Sequence, residues 1–272
     1  MNAEIIAVGT ELLMGQIVNT NAQYLSQQFA EMGVNVYFQT VVGDNRERLG
    51  KALRIASERA DLIVLTGGLG PTMDDITKDV VADLLGEPLV THEPTLERIT
   101  AYFQARQMPM SENNKRQALI IQGGEPLMND TGMAVGVAVK KDGRHYVLLP
   151  GPPKELKPMF EAYAKPWILG KMRISGSLFS RMLKFAGIGE SALEEALHDL
   201  IEGQSDPTIA PYAKEGEVAL RLTTRADDRA EADRRFDAVE GLIRGRVGEY
   251  LFATEDIPLE EALVRIMSNR GL

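Results

Sequence analysis

Residues 61–79 read DLIVLTGGLGPTMDDITKD. The apolar run 62–65 shows no polar alternation, which is how a strand buried on both faces reads. It breaks into a glycine-rich turn, and the turn opens onto paired aspartates at the predicted start of a helix over 75–85, stopped by Gly86. Glycine turns that lead into helices ordinarily present free N–H groups suited to phosphate. Asp74 and Asp75 stand where they would repel it.

Upstream, AEIIAV (3–8) is a second short apolar strand, ended by Gly9. NTNAQYLSQQFAEMG (19–33) predicts a helix capped by Asn19 or Asn21, with Tyr24, Leu25, Phe29 and Met32 as its apolar stripe and Gly33 as its stop. VNVYFQTVV (34–42) is rich in β-formers, and NRERLGKALRIASERA (45–60) is amphipathic. The order is β-α-β-α-β within 68 residues. Strands too apolar to face water imply an α/β fold, a mostly parallel sheet with helices on both faces. Ligands bind such sheets at the carboxyl ends of the strands, where the glycine turn lies.

Downstream, 93–107 and 111–120 predict helices, and AVGVAV (134–139) and HYVLLPG (145–151) predict strands around the turn KKDGR. The second of these strands ends in PGPPKELKPMF (150–160), another break into Gly and Pro before a helix. Beyond about residue 170 the pattern becomes β-α-β-β-α with a last strand at 250–253, a small α+β unit. The organisation predicted is 1–168, 169–253 and a helix within 254–272, after which a further domain would begin.

The chain has 272 residues, 44% of them hydrophobic, with a formal charge of −9, three histidines and no cysteine. Disulfides, thiolate chemistry and cysteine-ligated zinc are excluded. No apolar run approaches the roughly 20 residues that span a bilayer, and Glu4 disfavours a signal peptide. A cytoplasmic protein with no membrane partner is expected. The acidic balance, with both signs interspersed, argues against a nucleic-acid partner.

GTELLMGQIVNTNAQYL, VGDN, TGGLGPTMDDITKD, PGPPKE and GIGES together resemble the competence/damage-inducible protein CinA family, in order and over essentially the whole chain. The resemblance implies a MoCF-type, molybdopterin-binding-like α/β domain followed by a small KH-like domain. In longer members a nicotinamide-nucleotide amidohydrolase domain comes next. It further implies divalent-metal-dependent ADP-ribose pyrophosphatase activity for the first domain, whose relatives in eukaryotic FAD synthases are associated with FAD hydrolysis. The alternative is a pterin- or nucleotide-binding module, or a dimerisation scaffold, without hydrolysis.

A divalent cation (Mg, Mn or Co) between carboxylates and phosphate resolves the conflict in the loop. Asp75 is the first candidate ligand and catalytic group, Asp74 the second; Asp79 is expected on the solvent side of the helix. Each aspartate is also an ordinary helix-start residue. Gly67, Gly68, Gly70, Pro71 and Thr72, with Gly151, Pro152 and Pro153, are candidates to cradle a diphosphate, or else plain turn residues. Glu11 is a candidate general base or metal ligand. Asn19 and Asn21 are candidate nucleotide contacts, and Lys154 a candidate phosphate partner. Ser191, in GIGES, is expected to cap the helix that follows. The small unit lacks a basic GxxG turn, so its expected role is packing or homodimer formation.

Overall fold

The computed structural model describes residues 1–171, 177–214 and 217–269. They form two compact units, the first of residues 1–30 and 34–171, the second of the described residues from 177 onward, with which Glu31–Gly33 are grouped.

The first unit opens with β1 (Asn2–Val8), a one-turn α1 (Thr10–Leu13), α2 (Thr20–Glu31), β2 (Asn35–Val42), α3 (Arg46–Arg59), β3 (Leu62–Thr66) and α4 (Thr77–Leu85). It continues through β4 (Leu89–Thr91), α5 (Glu93–Ala105), a 3-10 turn (Glu112–Ala118), β5 (Leu119–Ile121), β6 (Glu125–Leu127), β7 (Gly136–Lys141) and β8 (Arg144–Leu149). Helices α6 (Pro153–Met159) and α7 (Lys165–Lys171) complete it, joined by a π turn. The boundary expected at 168 thus falls inside α7.

The main sheet is ordered β2-β1-β3-β8-β7-β6. The first four strands are mutually parallel; β7 runs antiparallel to β8, and β6 antiparallel to β7. Both faces are buried, as the unbroken apolar runs require. Ile6, Val8, Ile63 and Leu65 share one core with Leu49 and Leu53 of α3 and Val80 and Val81 of α4. Ile5 and Val64 alternate to the other face and are equally inaccessible. Leu25, Phe29 and Phe160 are buried too, with Phe160 meeting Tyr24 and Phe29 edge-on at 5.9 and 5.8 Å.

Some elements depart from the sequence reading. The stretch 111–120 is a 3-10 turn passing into β5, which pairs antiparallel with β4. Three-residue strands carry too little pattern to be seen in advance. The helix expected from residue 75 begins at Thr77. Asp75 therefore precedes it and shares no helix face with Asp79. Nor does Asp79 face open solvent: its carboxylate pairs with Arg116 at 2.6 Å.

The second unit comprises β9 (Ser177–Phe185), α8 (Glu190–Glu202), β10 (Thr208–Lys214), β11 (Glu217–Ala226), α9 (Arg229–Val247), β12 (Leu251–Ala253) and α10 (Leu259–Asn269). Its antiparallel sheet is ordered β10-β11-β9-β12. Leu183, Phe185, Leu193, Leu197, Leu220 and Phe236 lie in its core. Gly189, not Ser191, occupies the N-cap of α8, so Ser191 sits inside the first turn. Arg181 on β9 is held charged by Asp237, Glu240 and Asp233 of α9 against the opposing effect of burial. No helix among the described residues is long and apolar enough to cross a membrane.

A carboxylate is buried in the parallel sheet. Glu4 on β1 is 1% exposed and accepts from Arg59 Nε and Thr40 Oγ1, each at 2.8 Å. The Arg59 guanidinium also lies 3.5 Å over the Phe38 ring. Removing one partner of such a pair strands the other. Arg59→Met is expected to lower the urea midpoint of the first unit, because the Glu4 carboxylate is left buried without its cation. Urea unfolding followed at Trp167, the chain's single tryptophan, measures it.

Candidate functional site

The parallel strands β1, β3 and β8 bring three chain breaks to one sheet edge: Gly9 after β1, Gly67–Gly68 after β3 and Pro150–Gly151 after β8. Gly67 N–H donates to Leu149 O at 3.0 Å, tying the second break to the third. Gly67 and Gly68 have φ of +97° and +67°. A Cβ on Gly67 would stand 2.2 Å from Val8 O, and one on Gly68 would stand 2.2 Å from Thr77 Oγ1. Both positions are closed to any side chain. Thr77, the first residue of α4, fastens the turn through Oγ1 to Gly67 O at 2.8 Å and N–H to Gly68 O at 3.1 Å.

Over these breaks lies a cleft of about 650 Å³. It is bounded by Gly67, Gly68, Gly70, Pro71, Thr72, Asp74 and Asp75 from the motif loop, Glu11 from α1, and Gly151 and Pro152 after β8. A neighbouring cavity of about 260 Å³ takes Asn19, Asn21 and Pro153, and shares Glu11, Gly151 and Pro152 with the cleft. The fold thus gathers all the predicted residues but one. Lys154 is exposed in the first turn of α6 and lines neither space; only its carbonyl is engaged, accepting from Thr131 Oγ1 at 3.1 Å.

Asp75 turns back into its own loop, where Oδ2 accepts from the Thr72 N–H at 2.9 Å and from the Thr72 hydroxyl. Asp74 is exposed; the Thr72 side chain and its own backbone N–H hold its carboxyl below the ordinary range. Asn19 caps α2, with Oδ1 accepting from Ala22 N–H at 3.1 Å.

Three further contributors were not foreseen. Asp44 follows β2 and accepts from Thr10 N–H and Oγ1 at 2.8 and 2.9 Å. Glu155 on α6 accepts from the buried Asn129 Nδ2 at 2.9 Å, while the loop 129–134 is braced by Arg98 on three carbonyls. That loop, NDTGMA, carried a turn signature before a strand that would have flagged it. The third is Lys78, discussed below.

The cleft's electrostatics are one-sided. Glu11, Asp44, Asp74, Asp75 and Glu155 line it, and its lining contains no lysine, arginine or histidine. Among the described residues no three Asp, Glu or His side chains converge as a ready-made metal site. Two basic side chains stand behind the wall. Lys78 is 4% exposed and donates to Gln117 O at 3.2 Å, and Arg116 bonds Asp79 and the Asp75 carbonyl. Burial, reinforced by Arg116 and opposed by Asp79 and Asp75, pushes the Lys78 pKa from 10.5 down to about 7.

Between those two values the unfolded chain carries a proton at Lys78 that the folded chain has shed. Its contribution to stability therefore rises with pH across that window and is least favourable below pH 7. The melting temperature of Lys78→Met minus that of wild type is expected to fall by several degrees between pH 6 and pH 10. Differential scanning calorimetry across that range checks it.

The family model for the "Probable molybdopterin binding domain" matches residues 4–170. The first unit is accordingly a molybdopterin-binding-type α/β domain. The model for the "Damage-inducible protein CinA KH domain" matches residues 180–253. A competence-damage inducible protein of Geobacillus kaustophilus is 54% identical over 271 residues, and one of Bacillus mycoides 51% over 272. Each match takes in 100% of this chain and 66% of the relative. The crystal structure of CinA from Thermoplasma acidophilum, described as of unknown function, is 34% identical with a TM-score of 0.56. It covers 61% of this chain and 98% of its own. The chain belongs to the CinA family.

Proposed function

We propose that the first unit is a divalent-cation-dependent pyrophosphatase acting on nucleoside-diphosphate-linked compounds such as ADP-ribose. The observation that carries this reading is the cleft itself: a glycine turn of phosphate-binding form inside a wall of five carboxylates with no cationic side chain. A diphosphate enters such a space only with its charge already neutralised.

Mg²⁺ and its like are held by one or two carboxylates, with substrate phosphate oxygens and waters filling the remaining positions. The donor set here fits that description. Asp74 is exposed to the cleft, Asp75 is beside it, and no third protein ligand is needed. When bound, the cation offsets charge on the bridging phosphates and on the departing phosphate.

The chain's own groups do the rest. The backbone at Gly68–Gly70 holds the diphosphate in register. Glu11, exposed at the mouth and folded over Gly9, takes the proton from an attacking water. The water oxygen bonds to one phosphorus, the bond from that phosphorus to the bridging oxygen breaks, and ADP-ribose yields AMP and ribose 5-phosphate.

A second reading, binding without turnover, draws on the engagement of Asp75 with Thr72. Incubation with ADP-ribose and Mg²⁺, Mn²⁺ or Co²⁺, with detection of AMP, separates the two. Cation-dependent AMP release is expected, and Asp74→Asn and Asp75→Asn are each expected to lower it by about 100-fold without changing the melting temperature by more than a few degrees. Unaltered turnover in both variants would remove the motif aspartates from the chemistry.

A further inference from the structure

At the opposite end of β8 from the cleft, the chain buries a histidine that the cleft chemistry does not use. Of the three histidines, His92 Nδ1 meets Thr95 Oγ1 at 2.8 Å, and His198 is exposed beside Glu202. His145, the second residue of β8, is 6% exposed. Its Nδ1 lies 3.4 Å from Asp61 O. A carbonyl only accepts, so the neutral ring carries its proton on Nδ1 and presents Nε2 as a bare acceptor. Nε2 is buried and finds no hydrogen-bond partner among the described residues.

Trp167 of α7 packs against this ring. The two ring centroids are 5.7 Å apart, with their planes at 75°. Trp167 is 9% exposed, so the indole stands at the rim and can turn outward, whereas the next residue, Ile168, is fully buried. A second tie holds the end of the same helix. Lys171 Nζ pairs with the Glu125 carboxylate on β6 at 2.9 Å.

Protonating such a ring is costly. Nε2 would gain an N–H with no acceptor, and a cation would stand away from water. Attraction between an imidazolium and an indole is smaller than that cost. Burial is the largest influence on His145 and pushes its pKa below the ordinary 6.5. Among the charged groups facing it, Lys140 on β7 acts in the same sense, and Asp61, just before β3, opposes both. Glu125 is held below the usual carboxylate range, first by Lys171 and then by the Trp167 indole. Its pair with Lys171 therefore persists where ordinary carboxylates begin to titrate.

We propose that His145 is a proton-operated latch on α7. The neutral imidazole seats Trp167; protonation at Nε2 turns the indole out and lets water reach the new N–H, while the Lys171–Glu125 pair tethers the helix end. Above the histidine range the ring is neutral in folded and unfolded chains alike, and the latch is closed. Below pH 6.5 the unfolded chain takes up a proton that the closed latch refuses, and opening is the folded chain's way to accept it. Because α7 is the last described element of the first unit, the point at which the chain leaves that unit becomes responsive to pH.

Trp167 is the only tryptophan, so its fluorescence reads the latch directly in the wild-type chain. The pH is lowered from about 7.5 to about 4.5, across the histidine range. Emission is expected to shift to longer wavelength and acrylamide quenching to rise, with a midpoint below 6.5 and unchanged far-UV circular dichroism. The His145 ring resonances, followed by NMR, are expected to titrate at the same midpoint. His145→Phe keeps a flat ring without nitrogens and is expected to lose the step, whereas Glu125→Gln is expected to keep it.

Unchanged Trp167 exposure in the wild type across that range overturns the proposal, whether or not either variant folds. So does a step that persists in His145→Phe, or one that appears only with loss of circular dichroism.

Discussion

The site depends on a contact that a single extra carbon would abolish. The Gly67 Cα packs so closely on the Val8 carbonyl that an added Cβ would sit 2.2 Å from the oxygen. That approach lets the chain turn sharply at the end of β3 while the end of β1 stays hydrogen-bonded beside it. Because Gly67 N–H also reaches Leu149 O, the same residue ties in the end of β8. Three strands thus finish within reach of one another. The loops that follow have no choice but to share a space.

What the sequence made legible follows from how local each signal is. The strands 3–8 and 62–66 were readable because burial on both faces leaves no polar alternation. The glycines were readable because positive φ has few other solutions. The start of α4 was misplaced by two residues because Asp75 satisfies the loop's own Thr72, while Thr77 does the anchoring through bonds to Gly67 and Gly68. Asp44, Glu155 and Lys78 were invisible for another reason. Their places depend on partners from 34 to 39 residues away, or on a helix that closes the cleft from the far side of the sheet order. Lys78 in particular reads as a solvated lysine near the start of a helix, and only the packing of Gln117 and Arg116 against it reveals a buried amine.

The charge arrangement around the motif loop is layered. The cleft side is acidic, and the far side holds Lys78 and the Arg116–Asp79 pair. A basic residue in the cleft lining would serve phosphate binding without a cation. Its absence there, with Arg116 and the buried Lys78 amine one layer back, leaves the open face of the loop negative.

An acidic mouth also acts on ligands before they touch it. A free polyanion approaching five carboxylates climbs a potential barrier, whereas the same molecule carrying a divalent ion meets a lower one. Selection between the two forms then occurs in the encounter rather than in the bound state. Electrolyte has an inverted role in such a system: screening ordinarily slows the capture of a charged ligand by a complementary site, but here it flattens the barrier that keeps the bare anion out. Under the proposed function, the cleft wall is in this sense a gate whose threshold is set by the ionic composition of the surrounding medium.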